Sequence, residues 1–462
     1  MAQATRVITD LAKVSEKLRA GLRGELLRPG DDGYDQARRI HNGMIDRSPA
    51  LIVRCAVASD VLQAVNVARE HGILVSVLGG GHSVAGFGVC DQGLMIDLSS
   101  MKAIHVDPAL RTARAGGGVT WGELDGETQA VGMATTGGID RTTGIAGLTL
   151  AGGYGFLMRK RGMTCDNLIS VDIVTADGLM LRSSAEEHAD LFWGIRGGGG
   201  NFGIVTSFEY RIHEVGPVYG GLVIYSMDQA HERIRSYDEF VATAPDDLAP
   251  LLILGTLPDG TRAVIFLLCY FGPETEGRRC LEPLLSGGTP IVNQLALMPY
   301  EAIQGIVEKF NPRGLRNYWK TSFLERVTDD AAGVMIEKFQ TSPSPYTHVV
   351  LYTLGGAMAR VDPQATAVEN RQARHALLTV GMWDSASVDD DNIGWAQGFA
   401  SSMEGFSSGG FYVNFDSDTR ADRVRLAYGA AKYNRLRLLK DKYDPTNFFR
   451  LNHNISPTNV PG

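Results

Sequence analysis

Apolar positions in the first third of the chain alternate between strand-like runs and helix-like spacing. The run LIVRC from Leu51 is typical of a buried strand, and the following VLQAVNVAREH has apolar residues at helical spacing. We expect this helix to take Ser59 as its N-cap and to end at Gly72. A second strand-like run, ILVSVL, leads directly into the glycine string GGGHS, and Thr120 with Glu123 forms a capping-box signature for a further helix. The pattern predicts an α+β or α/β arrangement.

The middle of the chain carries a strong hairpin signal. The runs LISVDIVTA and LMLRS flank the turn pair Asp177-Gly178, which favours a tight connection between antiparallel strands. A short amphipathic helix, HADLFWGIR, follows, and the alternating run IVTSFEYRI after the next glycines predicts another strand.

The pattern changes after Gly216-Pro217. Apolar alternation resumes in GLVIYSM, AVIFLLCY, THVVLYTL and ARHALLTVG, which predicts an antiparallel sheet in a second domain. An amphipathic helix from about Arg420 to Lys442 then returns to the first domain. We therefore predict an α+β protein with a discontinuous first domain, residues 30–215 plus 411–462, and a substrate-binding domain at residues 216–410. A length of 462 residues fits two cores.

Composition narrows the classes of partner and compartment. The net charge of −8 gives no basic footprint for nucleic acid or an acidic membrane surface. Five cysteines without CxxC spacing indicate neither a disulfide framework nor a zinc site, and we predict no bound metal. The N-terminus has no continuous apolar run, so we expect no signal peptide and no membrane anchor, and a cytoplasmic location.

Glycine clusters are the main chemical signal. Gly198 to Gly203 satisfies G-x-G-x-x-G, but a strand follows it instead of a helix, which disfavours a Rossmann dinucleotide site. Gly79 to Gly81 follow a predicted strand and offer backbone N–H groups as an anion nest beside His82. A plain turn explains that string equally well when it is taken alone. Its repetition around residues 116–118, 137–155 and 197–203 indicates backbone pressed against an extended ligand.

Together these strings resemble a known family. GGGHS, TTGIAGLTLAGGYGFLMRKRGMTCDNL, DLFWGIRGGGGNFGIVTSFEY, FYVNF and KYDPTNFFRLNHNI resemble the FAD-linked oxidases of the vanillyl-alcohol-oxidase (PCMH-type) superfamily, in its berberine-bridge-enzyme-like branch. The resemblance implies FAD joined to His82 by an 8α-histidyl bond. It also implies a set of residues around FAD: Gly79, Gly80, Gly81, Ser83, Thr142, Thr143, Gly144, Gly147, Gly152, Gly153, Gly200, Ile204, Val205, Asn414 and Asn452.

The chain departs from the family pattern at two positions. Members with two covalent links have a cysteine where alignment by Ala146-Gly147 places Asp140 here, so a single bond is expected. Cys165, further along, is expected to be a packing residue. Leu78 replaces a polar or basic residue common before GGH, which leaves open how that side of the cofactor is neutralised.

The resemblance also implies a catalytic base on the substrate-facing sheet. Tyr412 is the candidate, and a core tyrosine on a strand is the alternative. A phenol acts as a base at neutral pH only if its pKa falls well below its ordinary value near 10. Tyr318 and Lys320 are further candidates for the substrate pocket, where Lys320 would lower the pKa of a phenol. A solvent-facing role is the alternative for both.

The favoured activity is an oxygen-dependent oxidase of an alcohol, sugar, phenol or secondary-metabolite intermediate, with H2O2 as product. A dehydrogenase of the same fold with another electron acceptor is a second hypothesis, and a catalytically inert flavin-binding protein is a third. Peroxide production separates the first from the second, and reduction of the flavin by substrate separates both from the third. The expected partners are a small molecule and O2, and the sequence leaves the oligomeric state open.

Overall fold

The structure, a computed structural model, describes residues 11–458 of the chain. Apolar side chains of residues 113–212 pack in one core cluster with side chains of the C-terminal residues 411–455. A separate core cluster forms between residues 219 and 403. We refer to these parts as the first and second domains. The mixture of helices and sheets confirms the α+β class, and within residues 11–458 no helix is both long and apolar enough to cross a bilayer.

The first domain contains two main sheets with helices against them. Its elements are α1 (Leu11–Arg19), β1 (Glu25–Leu27), α2 (Tyr34–Ala37), β2 (Leu51–Arg54), α3 (Ala58–His71), β3 (Val75–Leu78), β4 (Leu94–Asp97), β5 (Ile104–Asp107), β6 (Thr112–Gly116), α4 (Trp121–Gln129), β7 (Met133–Ala134), α5 (Ile145–Leu150), α6 (Met158–Arg161), β8 (Leu168–Val174), β9 (Met180–Ser184), α7 (Ala189–Ile195), β10 (Ile204–Arg211) and β11 (His213–Glu214). One sheet has the order β1-β2-β4-β3 and the other β5-β6-β10-β8-β9, while β7 pairs with β11.

The start of α3 differs from the prediction. The helix begins at Ala58, one residue before Ser59, so the prediction that Ser59 is its N-cap is wrong. The Asp60 carboxylate accepts the free backbone N–H groups at this end, from Ala56 at 2.9 Å and from Val57 at 3.3 Å. A carboxylate is the stronger acceptor beside the positive end of a helix.

Other local predictions are confirmed. Gly72 ends α3 in the left-handed region, with φ of 62°. Glu123 Oε2 accepts the Thr120 backbone N–H at 2.8 Å, as in a capping box. Residues on both sides of Asp177-Gly178 form the antiparallel pair β8 and β9.

The second domain is built on an antiparallel sheet, and its four longer helices pack against the outer face of that sheet. Its elements are β12 (Val218–Ser226), α8 (Ala230–Val241), β13 (Leu248–Thr256), β14 (Arg262–Tyr270), α9 (Glu274–Leu285), β15 (Val292–Asn293), β16 (Ala296–Met298), α10 (Tyr300–Gln304), β17 (Arg316–Leu324), α11 (Asp329–Gln340), β18 (His348–Thr353), α12 (Ala357–Arg360), β19 (His375–Trp383) and α13 (Asp389–Met403). The strand order is β15-β12-β14-β13-β18-β19-β17, and β16 also pairs with β12. The chain then returns to the first domain as α14 (Ala421–Tyr443), which is interrupted at Gly429.

A segment of the second domain is bound by side chains of the first. We call residues 364–371 the strap. The Arg371 guanidinium makes a bidentate pair with Asp166, at 2.7 and 2.9 Å, and both side chains are buried. Trp193 Nε1 donates to the Gln364 carbonyl at 2.9 Å, and Arg196 donates to the Ala365 carbonyl at 2.8 Å. The strap therefore holds the two domains against each other.

Candidate active site

A cavity of about 1020 Å³ lies between the two domains. Its first-domain side is made of glycine-rich backbone around residues 79–88, 138–151 and 198–205, together with the returning C-terminal residues 449–453. Its other side is the inner face of the β12–β19 sheet. The volume suits an extended ligand that is covered by both domains.

The glycine loops meet backbone to backbone. A Cβ on Gly80 would lie 2.2 Å from the Gly144 nitrogen, and a Cβ on Gly144 would lie 2.3 Å from the Gly80 nitrogen. Only glycine allows this approach. Gly147, Gly199 and Gly200 line the cavity differently, because a Cβ on any of them would meet nothing within 4 Å. Their bare backbone leaves room that a ligand fills.

The returning tail brings unpaired polar atoms to the same cavity. Asn452 Nδ2 donates to the Phe449 carbonyl at 3.1 Å and to the Gly200 carbonyl at 3.3 Å. Asn452 Oδ1 and His453 Nδ1 are buried without a hydrogen-bond partner among residues 11–458. Buried polar atoms are rarely left unpaired, so these two are candidates to contact a bound group.

His82 lies on the cavity wall at the end of the GGGHS loop. Its Nε2 is 2.8 Å from Thr142 Oγ1, and Thr143 Oγ1 is 3.3 Å from its Nδ1. The His41 ring packs against it with centroids 4.2 Å apart. The ring is partly exposed but faces an enclosed cavity. Burial, with a smaller contribution from His41, lowers the pKa of His82 to about 3, so the imidazole is neutral at neutral pH.

Asp140 stands behind His82, connected to it through Thr142. Its Oδ1 accepts the Thr142 hydroxyl at 2.7 Å, and its Oδ2 accepts Asn311 Nδ2 at 2.9 Å. Burial raises the pKa of Asp140, but His82 and these hydrogen bonds outweigh burial and hold the pKa below its ordinary value. Asp140 is therefore a carboxylate at neutral pH.

His41, His82 and Asp140 together have the composition of a metal site, with ligand-type atoms within 4.8 Å of one another. Thr142 already occupies His82 Nε2, and the Asn311 carbonyl accepts His41 Nε2 at 3.1 Å. The ring nitrogens Nε2 of His41 and His82 are thus used for hydrogen bonds in a network beside the cavity.

Tyr412 is buried at the base of the cavity. Its phenol oxygen accepts the Gly153 N–H at 2.8 Å and Asn414 Nδ2 at 2.9 Å, and its ring stacks on Tyr154 with centroids 4.0 Å apart. Gly153 has φ of 91°, a conformation that points its N–H at the phenol. Burial raises the pKa of Tyr412 above its ordinary value, and the Asn414 and Gly153 donors act in the opposite direction.

Tyr318 and Lys320 lie outside this cavity. Neighbouring strand residues face opposite sides of a sheet, and in β17 it is Trp319 that lines the cavity. Tyr318 and Lys320 line a second, smaller cavity on the outer face. Lys320 Nζ contacts Asp416 Oδ1 at 3.3 Å and Asp418 Oδ2 at 3.0 Å there. The structure therefore corrects the expectation that these two side chains act on substrate beside Tyr412.

The other expected residues fall into two groups. Most line the cavity, namely Gly79, Gly80, Gly81, Ser83, Thr143, Gly144, Gly147, Gly200, Ile204, Val205, Asn414 and Asn452. Thr142 stands behind His82, and Gly152 and Gly153 stand behind Tyr412.

Sequence reasoning missed His41 and Asn311. Both reach the His82 network from positions without any motif, so no local signal marks them. Tyr154 was also missed, although it stands within the quoted string GGYG. Cys165 is fully buried, which fits a packing side chain.

Comparisons with known proteins agree with this geometry. Residues 49–184 match the family model of the FAD binding domain, and residues 411–456 match that of berberine and berberine-like proteins. The chain is 30% identical over 459 residues to an FAD-linked oxidoreductase of Dictyostelium discoideum, which covers 98% of both proteins. It is 31% identical over 450 residues to (R)-6-hydroxynicotine oxidase of Paenarthrobacter nicotinovorans, covering 94% of this chain and 97% of that protein.

This chain belongs to the berberine-bridge-enzyme-like FAD-linked oxidoreductases. The crystal structure of 6-hydroxy-D-nicotine oxidase from Arthrobacter nicotinovorans has a TM-score of 0.86 and 28% identity to this berberine-bridge-enzyme-like protein, covering 94% of this chain and 98% of that chain. The family resemblance, the fold class and the oxidoreductase class predicted from sequence are thereby confirmed, and FAD is the cofactor. The space in front of Gly147, Gly199 and Gly200 and the unpaired atoms of Asn452 and His453 fit such a group.

Proposed function

We propose that this protein is an oxidase in which FAD, bound covalently through His82 alone, takes a hydride from a small organic substrate and passes the electrons to O2, giving H2O2. The observation that carries the proposal is that a neutral His82 and the buried phenol of Tyr412 line the same cavity. Covalent attachment prevents loss of the cofactor and adjusts its tendency to accept electrons.

The state of His82 supports the attachment. A nitrogen forms a new bond to carbon only with a free lone pair, and the low pKa of His82 keeps the ring neutral at neutral pH. Asp140 stands where members with a second link have cysteine, and a carboxylate cannot form a thioether. These two residues support attachment of FAD at a single position.

Tyr412 is proposed as the base that takes the proton released by the substrate as the hydride leaves. The Gly153 N–H and Asn414 Nδ2 stabilise negative charge on its oxygen. Contrary to the lowering expected from the sequence, burial raises the pKa of Tyr412, so only a small phenolate fraction acts as the base at neutral pH, and that fraction grows about tenfold per pH unit below the pKa. The rate is therefore expected to rise with pH through the neutral range.

Acid precipitation followed by peptide mapping tests the attachment. Flavin fluorescence is expected to remain with the peptide that contains His82, and His82→Ala is expected to release its flavin into the supernatant. Fluorescence on a peptide without His82, or a colourless protein after incubation with FAD, contradicts the proposal.

Variants at two stacked tyrosines test the base. Tyr412→Phe is expected to lower kcat by about 100-fold or more and to remove the rise of kcat/KM with pH, while the flavin stays attached. Tyr154→Phe is the matched control, because its ring occupies the same stack, and it is expected to keep the pH dependence. Turnover with an artificial acceptor but without peroxide would identify a dehydrogenase instead. A flavin that no substrate reduces would identify an inert binding protein.

A further inference from the structure

The sheet side of the cavity is built from aligned aliphatic side chains. Strand register places one row side by side on five neighbouring strands, namely Ile224, Ile265, Ile253, Val350 and Leu378. A second row contains Leu222, Leu267, Leu251 and Tyr352. All of these residues line the cavity, because residues two apart on a strand face the same side. We call these two rows the aliphatic wall.

The cavity lining contains three acidic residues and one lysine, none of which belongs to the aliphatic wall, and Asp140 is hydrogen-bonded behind His82. Asp259 and Lys309 are exposed. Asp416 is paired with Lys320 and Arg423. His348 stands beside the wall with Nδ1 3.1 Å from the Tyr346 carbonyl, and burial lowers its pKa, so that it is neutral. A molecule against the two rows of the wall thus meets hydrocarbon and the Tyr352 hydroxyl, while other polar lining residues, such as Thr256, Tyr346 and Asn311, lie outside these rows.

We propose that the substrate of this site is an uncharged, largely apolar alcohol or phenol, and not a sugar. This inference rests on the proposed function and narrows it. A sugar ring would turn several hydroxyl groups toward the aliphatic wall, where they lose water without gaining a partner. Each such hydroxyl weakens binding by about tenfold or more. An apolar molecule loses nothing there and keeps its reacting hydroxyl for Tyr412.

Titration of the flavin absorbance of the holoenzyme tests this class. We compare 2-naphthalenemethanol with cellobiose, and we measure anaerobic flavin reduction with both. The naphthalene alcohol is expected to bind about 100-fold more tightly than cellobiose. Ile253→Asn places an amide in the centre of the wall and is expected to weaken that binding about tenfold without weakening cellobiose, while Ile253→Val is expected to keep it.

Two outcomes overturn the substrate class: tighter binding or faster flavin reduction with cellobiose, or no loss of alcohol binding in Ile253→Asn. Either result leaves the proposed function intact if the flavin is bound to His82 and peroxide is formed. Flavin that is absent from His82 instead overturns the proposed function, while the binding comparison still decides the substrate class.

The hydrogen-bond chain behind His82 carries a second inference. The Thr142 hydroxyl has one hydrogen, which it donates to Asp140 Oδ1 at 2.7 Å. Thr142 Oγ1 must then accept from His82 Nε2 at 2.8 Å, so Nε2 bears the proton. The Thr143 hydroxyl, 3.3 Å from Nδ1, can donate to the lone pair there. The network therefore fixes the tautomer in which Nδ1 is the nucleophile.

We infer that Asp140, acting through Thr142, is the positioning residue that promotes attachment of FAD to His82 through Nδ1. In the net reaction one C–H bond of the flavin methyl group and the Nε2–H bond break, and one C–N bond forms. The two electrons and two protons released go to O2, which becomes H2O2. As the lone pair at Nδ1 enters the new C–N bond, the Nε2 proton passes to Thr142 and the Thr142 proton passes to Asp140, which then releases a proton for the formation of H2O2.

The rate of attachment tests this role without relying on turnover. Flavin-free protein is incubated with FAD and O2, and acid-stable fluorescence and intact mass are followed with time. Asp140→Asn and Thr142→Val are expected to attach flavin about 100-fold more slowly than wild type while still binding FAD without a covalent bond. Thr142→Ser retains the hydroxyl and is expected to restore the rate. Thr112→Val, on β6 and outside the cavity lining, is the matched control.

Wild-type rates in Thr142→Val would overturn the relay, as would equal rates in Thr142→Ser and Thr142→Val. If Asp140→Asn does not fold, the Thr142 pair decides the question alone. Flavin attached to a residue other than His82 overturns the proposed function as well.

Discussion

Asp125, buried between the domains, provides a prediction of a gain in stability. The residue lies on α4 and accepts Gln304 Nε2 of α10 at 3.1 Å, while its Oδ1 has no partner among the described residues. Burial, with a smaller contribution from Glu301, raises the pKa of Asp125 from 3.8 to about 7. The folded protein therefore holds a proton that the unfolded chain loses near pH 4.

The sign of the pH dependence follows from this difference. Between pH 4 and pH 7 the unfolded chain binds fewer protons than the folded chain, so the free energy of unfolding falls by about 1.4 kcal/mol per pH unit. Above pH 7 the accumulated cost is on the order of 4 kcal/mol. Asp125→Asn removes the ionisation and is expected to gain most of that amount. An unfolding entropy of about 2.1 cal/mol/K per residue means that 1 kcal/mol shifts the Tm of a chain of 462 residues by about 1 °C, so the expected rise in Tm at pH 8 is roughly 4 °C.

Thermal unfolding of wild type and Asp125→Asn from pH 4.5 to 8.5, followed by circular dichroism, measures the effect. The difference in Tm should be largest at pH 8 and should fall to about a quarter of that value at pH 4.5. Asp60→Asn is the control with opposite sign, because the Asp60 carboxylate accepts backbone N–H groups and its loss destabilises α3. A variant Asp125→Asn that melts no higher than wild type at pH 8 refutes the reasoning.

Two further predictions concern the backbone around FAD. Lys440→Met leaves the fully buried Asp444 carboxylate without its ion-pair partner and is expected to lower the free energy of unfolding by about 3–5 kcal/mol. Urea unfolding measures this loss, and the double variant with Asp444→Leu is expected to recover part of it. Gly80→Ala places a Cβ 2.2 Å from the Gly144 nitrogen and is expected to abolish flavin retention, measured by absorbance of the purified protein, whereas Gly216→Ala, with nothing within 4 Å, is expected to retain it.

The glycine strings and the returning tail allowed the flavin side of the site to be predicted from sequence. Close approach of two backbone segments requires glycine, so the contact between Gly80 and Gly144 can be recognised from the glycines in the sequence. The same is true of the turn at Gly178, because few other residues adopt its positive φ.

The substrate side could not be predicted in the same way. Tyr318, Trp319 and Lys320 are adjacent in sequence, and a shift of one residue reverses which side chains enter the cavity. Register is set by pairing with strands far along the chain, and the partners of Lys320, Asp416 and Asp418, lie almost a hundred residues away. His41 and Asn311 also contact the His82 network from positions that are distant in sequence, so no local sequence pattern predicts their role.

The strap has a consequence for how molecules enter and leave. Separation of the two domains would break the buried ion pair between Arg371 and Asp166 and expose both charged groups to water. It would also break the hydrogen bonds that Trp193 and Arg196 donate to the strap. Charged hydrogen bonds of this kind contribute about 1.5–3 kcal/mol each. We therefore expect the two domains to stay together during turnover, and substrate and product to pass through the rim near residues 257–260 and 309–312, where the cavity lining is exposed.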